Sequence, residues 1–501
     1  MSRNSRIIIR GGMLCDGTGA LPVRQDILIE NDVFADIGSP GAFDSLAGQT
    51  VEADGKWIVP GFIDAHSHGE SRKIRYPENR TKLFQGVTTE VDGNCGSSPS
   101  CVPGGSGELA WQDLAGYAKV VDRLKVSTNT VALCGHNSIR RAVMGTAGRK
   151  ADPEEIDQMR KLLENACNAG AAGFTSGLTY FPGKFADTSE LTALSSVLKG
   201  SQKIYATHMR SEGDSLMEAV EEAITIARAG SGRLQISHLK TIFPRNFNKI
   251  GQLLARLEQC RIEGMFLHAD RYPYVYSSTR IGQILPAPYD QDTEIKTKLA
   301  GSESFQQEII EALRQSPRDL ASTILLKNGK TLSQLAEENG WTLEETGMRV
   351  LMDNPEQTAA YLCMSEENMM KILAEPWVCA GSDAISAQLD DPGSQGHPRA
   401  VGTFPTFFRK VASITSMQEA VRRMTSLPAS IFRIPKRGII RKGYFADLAV
   451  LDEARYESKA GFDGRDLQPL GVSLVMVNGE IAWDAAKPDQ VIRAGRFLPV
   501  D

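Results

Sequence analysis

Eight short apolar segments alternate with helical patterns through the middle of this chain, and this alternation constrains the fold more than any other feature. Strands that alternate with helices form βαβ units whose strands lie parallel, and eight such units can close into a barrel. We therefore predict an α/β fold with a (β/α)8 TIM-like barrel over residues 59–435. The predicted strands are WIVPGFIDAH, GVTTEVDG, TVALCGH, AAGFTSG, KIYATHMR, RLQISHLK, GMFLHADRYPY and WVCAGSDA.

The interval between the seventh and eighth predicted strands is too long for a normal loop. It spans residues 286–376 and contains the helical patterns SFQQEIIEALRQ, TLSQLAEENG and TLEETGMRVLMD. We predict an inserted helical subdomain or lid within the barrel.

The two ends of the chain share a different sequence pattern, in which short β-type runs are separated by turn signals such as Asn478-Gly479. Neither end has enough strands for a stable sheet of its own. The sequence therefore predicts that residues 1–58 and 436–501 together form one small β-sandwich domain.

Composition excludes several classes of partner. With 56 basic and 61 acidic side chains among 501 residues, the chain lacks the positive surface that nucleic acid or an anionic membrane requires. No apolar run is long enough to span a membrane, and the first residues lack the apolar core of a signal peptide. The eight cysteines are scattered and are expected to be reduced. We expect a cytoplasmic protein that acts on a small molecule.

Side chains that can bind a metal lie at the predicted C-terminal ends of strands, where such barrels carry their reactive groups. A single histidine is more often structural, but four of the seven histidines lie at these ends. Nitrogen, sulfur and oxygen donors together suit Zn²⁺. Asp383 is the one carboxylate in the set and can accept a proton from water. The candidate metal ligands are His66, His68, Cys95, His208, His238 and Asp383.

Several motifs carry a family resemblance. The segment PGFIDAHSH at 60–68, with GSD at 381–383 and ADL at 446–448, resembles the amidohydrolase superfamily of metal-dependent hydrolases. Within it the chain is similar to the D-aminoacylase (N-acyl-D-amino-acid deacylase) family. The supporting motifs are GNCG at 93–96, SGLTY at 176–180, THMR at 207–210, SHLK at 237–240, YPY at 272–274, HPR at 397–399 and GTFP at 402–405.

The resemblance implies zinc-dependent hydrolysis of the amide bond of an N-acyl-D-amino acid, with Asp383 as the catalytic base. It implies a tightly bound zinc at Cys95, His208 and His238. The strand-1 histidines, His66 and His68, would join Asp383 in a weaker second site or hold the catalytic water. Some related enzymes use a carboxylated lysine on strand 4, but AAGFTSG has none. The Cys95 thiolate must then supply the anionic ligand.

Substrate contacts are also implied by the resemblance. It points to Tyr180, Lys240 and Tyr274 as the groups that meet the substrate carboxylate. Arg280 departs from the family pattern: it either binds a carboxylate, which hints at an acidic or polar D-amino acid, or is a surface loop residue. Arg399 either orients a loop carboxylate or approaches the substrate.

Two other functions remain open. One is a cyclic-amide or D-dipeptide amidohydrolase on the same scaffold, against which the missing strand-4 lysine counts. The other is a noncatalytic scaffold protein with an amidohydrolase fold, against which the presence of all six metal-capable side chains counts.

Overall fold

A computed structural model describes residues 5–292, 294–385, 396–462 and 468–501. The strands are β1 (Arg6–Leu14), β2 (Val23–Glu30), β3 (Val33–Gly38), β4 (Gln49–Glu52), β5 (Trp57–Pro60), β6 (Phe62–Asp64), β7 (Val87–Asp92), β8 (Asn129–Ala132), β9 (Cys134–Gly135), β10 (Gly173–Gly177), β11 (Ile204–His208), β12 (Arg233–Ile236), β13 (Phe266–Arg271), β14 (Tyr276–Arg280), β15 (Ile324–Leu325), β16 (Thr358–Leu362), β17 (Val378–Ala380), β18 (Leu448–Leu451), β19 (Val472–Val477) and β20 (Glu480–Asp484).

The helices are α1 (Glu70–Arg75), α2 (Arg80–Leu83), α3 (Leu114–Leu124), α4 (His136–Met144), α5 (Pro153–Asn168), α6 (Thr188–Ser195), α7 (Leu216–Ala229), α8 (Ile250–Ile262), α9 (Ile295–Gly301), α10 (Glu303–Leu313), α11 (Leu332–Asn339), α12 (Leu343–Asp353), α13 (Glu366–Ala374), α14 (Arg399–Ile414), α15 (Met417–Met424) and α16 (Ser426–Ile431). Within the described residues, none of these helices combines the length and the apolar character needed to cross a membrane.

Eight parallel segments form the barrel, as the alternation of patterns predicts. Strands β6, β7 and β8 pair in that order, and β9, β10, β11, β12, β13 and β17 continue around the barrel. Strands β8 and β9 are two parts of one segment. The ring closes where the Ala65 N–H donates to the Ala380 carbonyl at 3.2 Å and the Asp383 N–H donates to the His66 carbonyl at 2.8 Å. The predicted (β/α)8 fold is confirmed.

The barrel is filled and closed at the end where its strands begin. Ile63, Val91 and Ile204 pack inside it in one buried cluster with Leu498 and Val500 from the C-terminus. The Val500 N–H donates to the carbonyl of Gly170, just before β10. Because apolar side chains occupy this end, the C-terminal ends of the strands are left for polar groups.

Strands from both ends of the chain form one eight-stranded sheet beside the barrel. Its order is β20-β19-β18-β5-β1-β2-β3, with β4 paired to β1. Phe34 of β3 and Met476 of β19 lie near opposite ends of this order yet share one buried cluster with Ile27 and Leu448. The sheet therefore folds back over its own core.

The structure divides the first predicted barrel strand in two. Residues Trp57–Pro60 pair with β18 in the outer sheet, and only Phe62–Asp64 enter the barrel. The chain passes between the two sheets at Gly61, where a Cβ atom would lie 2.2 Å from Thr88 Oγ1. Only a residue without a side chain allows β6 to lie this close to β7.

The segment between β13 and β17 contains strands as well as helices. Helices α9, α10, α11 and α12 share a core with Leu325 of β15 and Ala359 of β16. Strands β14, β16 and β15 form a three-stranded antiparallel sheet, which the helical patterns did not predict. These strands are short and irregular in sequence, so local periodicity is a weak signal for them. Residue 293, within the predicted insertion, lies outside the described residues.

Gly61→Ala tests the close approach of the two sheets. The new methyl group would overlap the buried Thr88 side chain, so we expect a loss of about 1–3 kcal/mol of stability and a lower apparent melting temperature by scanning fluorimetry. Gly251→Ala is the matched control, because Gly251 is exposed in α8 and a methyl group there would meet no atom within 4 Å. Equal melting temperatures for the two variants would contradict the interpretation.

Candidate metal centre

The loop after β7 places the Cys95 thiol at the open end of the barrel. Cys95 has a left-handed backbone, with φ of 51°, two residues after Gly93, which has φ of 85°. The Sγ atom lies 3.3 Å from His66 Nε2, 3.4 Å from His238 Nε2 and 3.7 Å from His208 Nδ1. One thiol and three imidazoles from four different strand ends therefore meet at one point.

A carboxylate joins the same centre from the end of the eighth barrel strand. Asp383 Oδ1 lies 3.4 Å from His66 Nε2 and 3.1 Å from His68 Nε2. The ligand atoms form two groups, each within 4.8 Å: His66, His68, Cys95 and Asp383, and Cys95, His208 and His238. The structure thus brings all six predicted ligands together, and Cys95 belongs to both groups.

Three of these six residues have backbones that L-residues rarely adopt. Besides Cys95, His238 has φ of 38° and Asp383 has φ of 50°. Such conformations cost about 1–3 kcal/mol each and persist where the surroundings enforce them. The His238 N–H donates to Asp270 Oδ1 at 2.8 Å. The concentration of strained backbone at one point is typical of a functional site.

The charges at the centre stabilise one another. Burial alone would raise the pKa of the Cys95 thiol, but the neighbouring His66 and His238 outweigh burial and hold that pKa well below its usual range. Burial would also raise the pKa of Asp383, but Arg399 and the histidines hold it well below its usual range. The Arg399 Nη1 atom lies 2.8 Å from Asp383 Oδ2. A thiolate and a carboxylate are therefore available as anionic donors.

Two buried carboxylates that sequence reasoning did not select hold the imidazoles in place. Asp270, at the end of β13, lies 3.0 Å from His66 Nδ1 through its Oδ1 atom. Glu212 Oε1 lies 3.0 Å from His238 Nδ1 and 2.5 Å from Lys240 Nζ. Groups that hydrogen-bond the outer nitrogen of a ligating histidine fix its orientation. The strand-end rule could have found Asp270, whereas Glu212 lies in a loop.

A buried ionic network supports the loop that carries His66 and His68. Asp64 accepts from the His66 N–H at 3.2 Å, and Glu90 accepts from the Ser67 hydroxyl at 2.8 Å. Burial would raise the pKa of Glu90, but the two lysines of the network outweigh it and lower the pKa to about 2. The side chains of the network are Asp64, Lys73, Lys82, Glu90 and Asp92, all fully buried.

The donor set fits zinc in chemistry and in spacing. With Zn–S of about 2.3 Å and Zn–N of about 2.0–2.1 Å, a tetrahedral ion separates sulfur from nitrogen by about 3.6 Å. The observed separations from Cys95 Sγ to the three imidazoles run from 3.3 to 3.7 Å. Thiolate and imidazole are also the donors that zinc prefers. These residues can therefore hold a zinc ion.

Two cavities open beside this centre. One, of about 460 Å³, is lined by His208, His238 and Asp383, and the other, of about 1100 Å³, is lined by His68, Cys95 and Asp383. The centre lies between them. A substrate bound across the centre could place one part in each cavity.

The predicted substrate contacts divide between these cavities and the surrounding structure. Tyr180 lines both cavities, Lys240 lines the smaller one and Arg399 lines the larger one. Tyr274 lines neither; its hydroxyl lies 3.3 Å from Thr406 Oγ1.

Arg280 also lines neither cavity. It forms an ion pair with Glu356 at 2.8 Å. Tyr272, the first tyrosine of the same YPY motif, lines the smaller cavity instead of Tyr274. Which tyrosine faces the cavity depends on how the chain bends after β13, and the motif alone does not indicate it.

A closed parallel barrel with thiolate, imidazole and carboxylate donors at its C-terminal edge defines the class of the protein as a metal-binding (β/α)8 barrel of the hydrolase type. Comparisons with known proteins identify the family.

The chain matches the amidohydrolase family over residues 49–213 and 349–482. An N-acyl-D-glutamate deacylase from Alcaligenes xylosoxydans xylosoxydans is 29% identical over 100% of this chain and 98% of the relative. A D-aminoacylase from the same organism is 31% identical over 95% of this chain and 94% of the relative. The crystal structure of an N-acyl-D-glutamate deacylase from Bordetella bronchiseptica, complexed with zinc and a phosphonate mimic of the tetrahedral intermediate, superimposes with a TM-score of 0.83 at 29% identity and full coverage of both chains.

The chain belongs to the amidohydrolase family. The similarity extends over the barrel and the outer sheet alike, and it confirms the resemblance to D-aminoacylases that the sequence motifs carry.

Cys95→Ser tests the shared donor. A hydroxyl is a poor replacement for a thiolate as a zinc ligand. Loss of a residue that only hydrogen-bonds a ligand lowers metal affinity by roughly 10–100-fold, so loss of the ligand itself should lower it further. Competition with a chelating indicator measures this affinity, and the cobalt(II)-loaded protein should lose its thiolate charge-transfer band. The control is Cys167→Ser, because Cys167 is a half-buried thiol in α5 outside both ligand groups. Unchanged affinity in Cys95→Ser would exclude the thiolate as a ligand.

Proposed function

We propose that this protein hydrolyses the amide bond of N-acyl-D-amino acids, releasing a carboxylate and a free D-amino acid. The observation that carries the proposal is a buried centre in which two groups of metal donors share Cys95 and open onto two cavities. An amide bond over the centre would direct its acyl group and its amino-acid part to opposite sides. The names of the full-length relatives, which include a D-aminoacylase and an N-acyl-D-glutamate deacylase, support this choice.

The proposed cofactor is Zn²⁺, held tightly by Cys95, His208 and His238. His66 and His68, with Asp383, form a weaker second site. When bound, zinc supplies a Lewis acid that polarises an acyl oxygen and lowers the pKa of water. Because β10 contains no lysine, the Cys95 thiolate is the proposed anionic donor that belongs to both groups of metal ligands.

Asp383 is the proposed general base. Its carboxylate lies within hydrogen-bond reach of His68 and is held by Arg399 on its other oxygen. It accepts a proton from the attacking water as the oxygen joins the acyl carbon. It then delivers this proton to the amide nitrogen as the C–N bond breaks, which leaves the acid and the free amine.

The remaining polar groups bind and orient the substrate. Lys240 lines the smaller cavity. It keeps its positive charge because Glu212 outweighs the effect of burial and raises the pKa of the lysine. With Tyr180 it forms the proposed contact to the α-carboxylate. Arg399 is assigned to orienting Asp383, the first of the two roles that its sequence position suggested.

Asp383→Asn should lower kcat by at least about 100-fold, because general acid–base catalysis contributes roughly 10²–10⁴-fold. Zinc at the tight site should be retained, as metal analysis would measure. Asp214→Asn is the matched control: Asp214 also lines the smaller cavity but pairs with Arg245 at 2.7 Å. Near-normal turnover in Asp383→Asn would eliminate its proposed role.

A chromatographic screen of N-acetyl D- and L-amino acids tests the substrate class. We expect release of free D-amino acids and little turnover of the L-isomers. Hydantoins, dihydropyrimidines and D-dipeptides belong in the same screen. Preferential opening of a cyclic amide would replace the proposal with the cyclic-amide alternative, and a preference for L-isomers would overturn its stereochemistry.

A further inference from the structure

Arg318, in the segment between α10 and β15, lines the smaller cavity together with the catalytic centre. Its guanidinium carbon lies 4.3 Å from the ring centroid of Tyr361 and 5.7 Å from that of Phe243. Contacts with two aromatic rings restrict a long side chain and leave the edge of its planar group free to bind. The guanidinium is therefore held in place at the cavity wall.

The charge of Arg318 has no carboxylate within ion-pair distance among the described residues. Its Nη1 atom is fully buried and makes no hydrogen bond. The other two cations at this cavity are each paired: Lys240 with Glu212 at 2.5 Å, and Arg210 with Glu222 at 2.9 Å.

Four carboxylate residues line this cavity, and among the described residues none of them forms an ion pair with Arg318: Glu212, Asp214, Asp290 and Asp383. Asp383 is held by Arg399 at 2.8 Å. Glu212 is paired as above, and Asp214 pairs with Arg245 at 2.7 Å. Leaving a buried guanidinium donor unsatisfied is costly. The Nη1 atom itself is out of reach of a ligand, but Arg318 is only half-buried and lines the cavity, so an anionic group bound there would pair with its charge.

Residues with hydroxyl side chains also contribute to this cavity. Ser277, Ser278 and Thr279 of β14 line this cavity. A carboxylate accepts well from a guanidinium edge and from hydroxyls, because charge-assisted hydrogen bonds are stronger than neutral ones. The α-carboxylate is already assigned to Lys240, so Arg318 is available for a second anionic group.

We infer that Arg318 determines specificity for N-acyl-D-amino acids with an acidic side chain, whose second carboxylate it binds. The inference rests on the proposed function and names the substrate class within it. Arg280, which the sequence suggested for such a role, forms an ion pair with Glu356 outside the cavity. Arg318 lies in none of the motifs that carry the family resemblance.

The test compares N-acetyl-D-glutamate with N-acetyl-D-glutamine, which differs by one neutral amide at the same length. The wild-type zinc enzyme should have the higher kcat/KM for the glutamate derivative. Arg318→Met should lower the glutamate-to-glutamine ratio by roughly 10- to 100-fold, the range for loss of a hydrogen bond to a charged group. Arg318→Lys should restore part of the ratio. The control Arg280→Met should leave it unchanged.

Calorimetric titration of D-glutamate and D-glutamine into the same zinc-loaded proteins separates this inference from the proposed function. If no N-acyl-D-amino acid is hydrolysed, the proposed function fails; selective D-glutamate binding that is lost in Arg318→Met would still support the inference. If N-acetyl-D-glutamine is hydrolysed as fast as N-acetyl-D-glutamate, or if Arg318→Met leaves both the ratio and the binding unchanged, the inference is overturned while the proposed function stands.

Discussion

The buried Cys95 thiolate, surrounded by imidazoles at 3.3 to 3.7 Å, is the interaction on which the rest of the site depends. An anion without a partner would be unstable inside a protein. Here the same neighbours that stabilise it are the groups that can share a metal with it. Each of these histidines comes from a different strand, so the thiolate links barrel segments that are far apart in the chain.

Buried charges near this centre are compensated at every level. Asp270 pairs with the imidazole of His66, and Glu212 pairs with that of His238. Under the loop of His66, Lys73 and Lys82 form ion pairs with buried carboxylates. Removing one member would leave another charge buried without a partner, which costs more than the pair contributes. Such networks give the ligands a defined geometry.

The inserted segment supplies much of the cavity wall, whereas the barrel supplies the chemical groups. Strand β14, which pairs with β16, lines the smaller cavity beside metal-centre residues, and so does the loop that carries Arg318. Both reach this position because the segment between β13 and β17 packs at the open end of the barrel. The candidate metal ligands accordingly lie at the ends of barrel strands, while the groups inferred to select the side chain lie elsewhere.

The sequence by itself determined the barrel and the six candidate metal ligands, because strand alternation is a local pattern and strand ends converge in any closed parallel barrel. It did not determine the strands β14, β15 and β16, the position of Tyr272 rather than Tyr274 at the smaller cavity, or the pairing of Arg280 with Glu356. Those outcomes depend on which chain segments pack together across long separations. Only the tertiary structure shows that Glu356 pairs with Arg280 and that Arg318 lines the cavity, because both depend on segments that are distant in the chain.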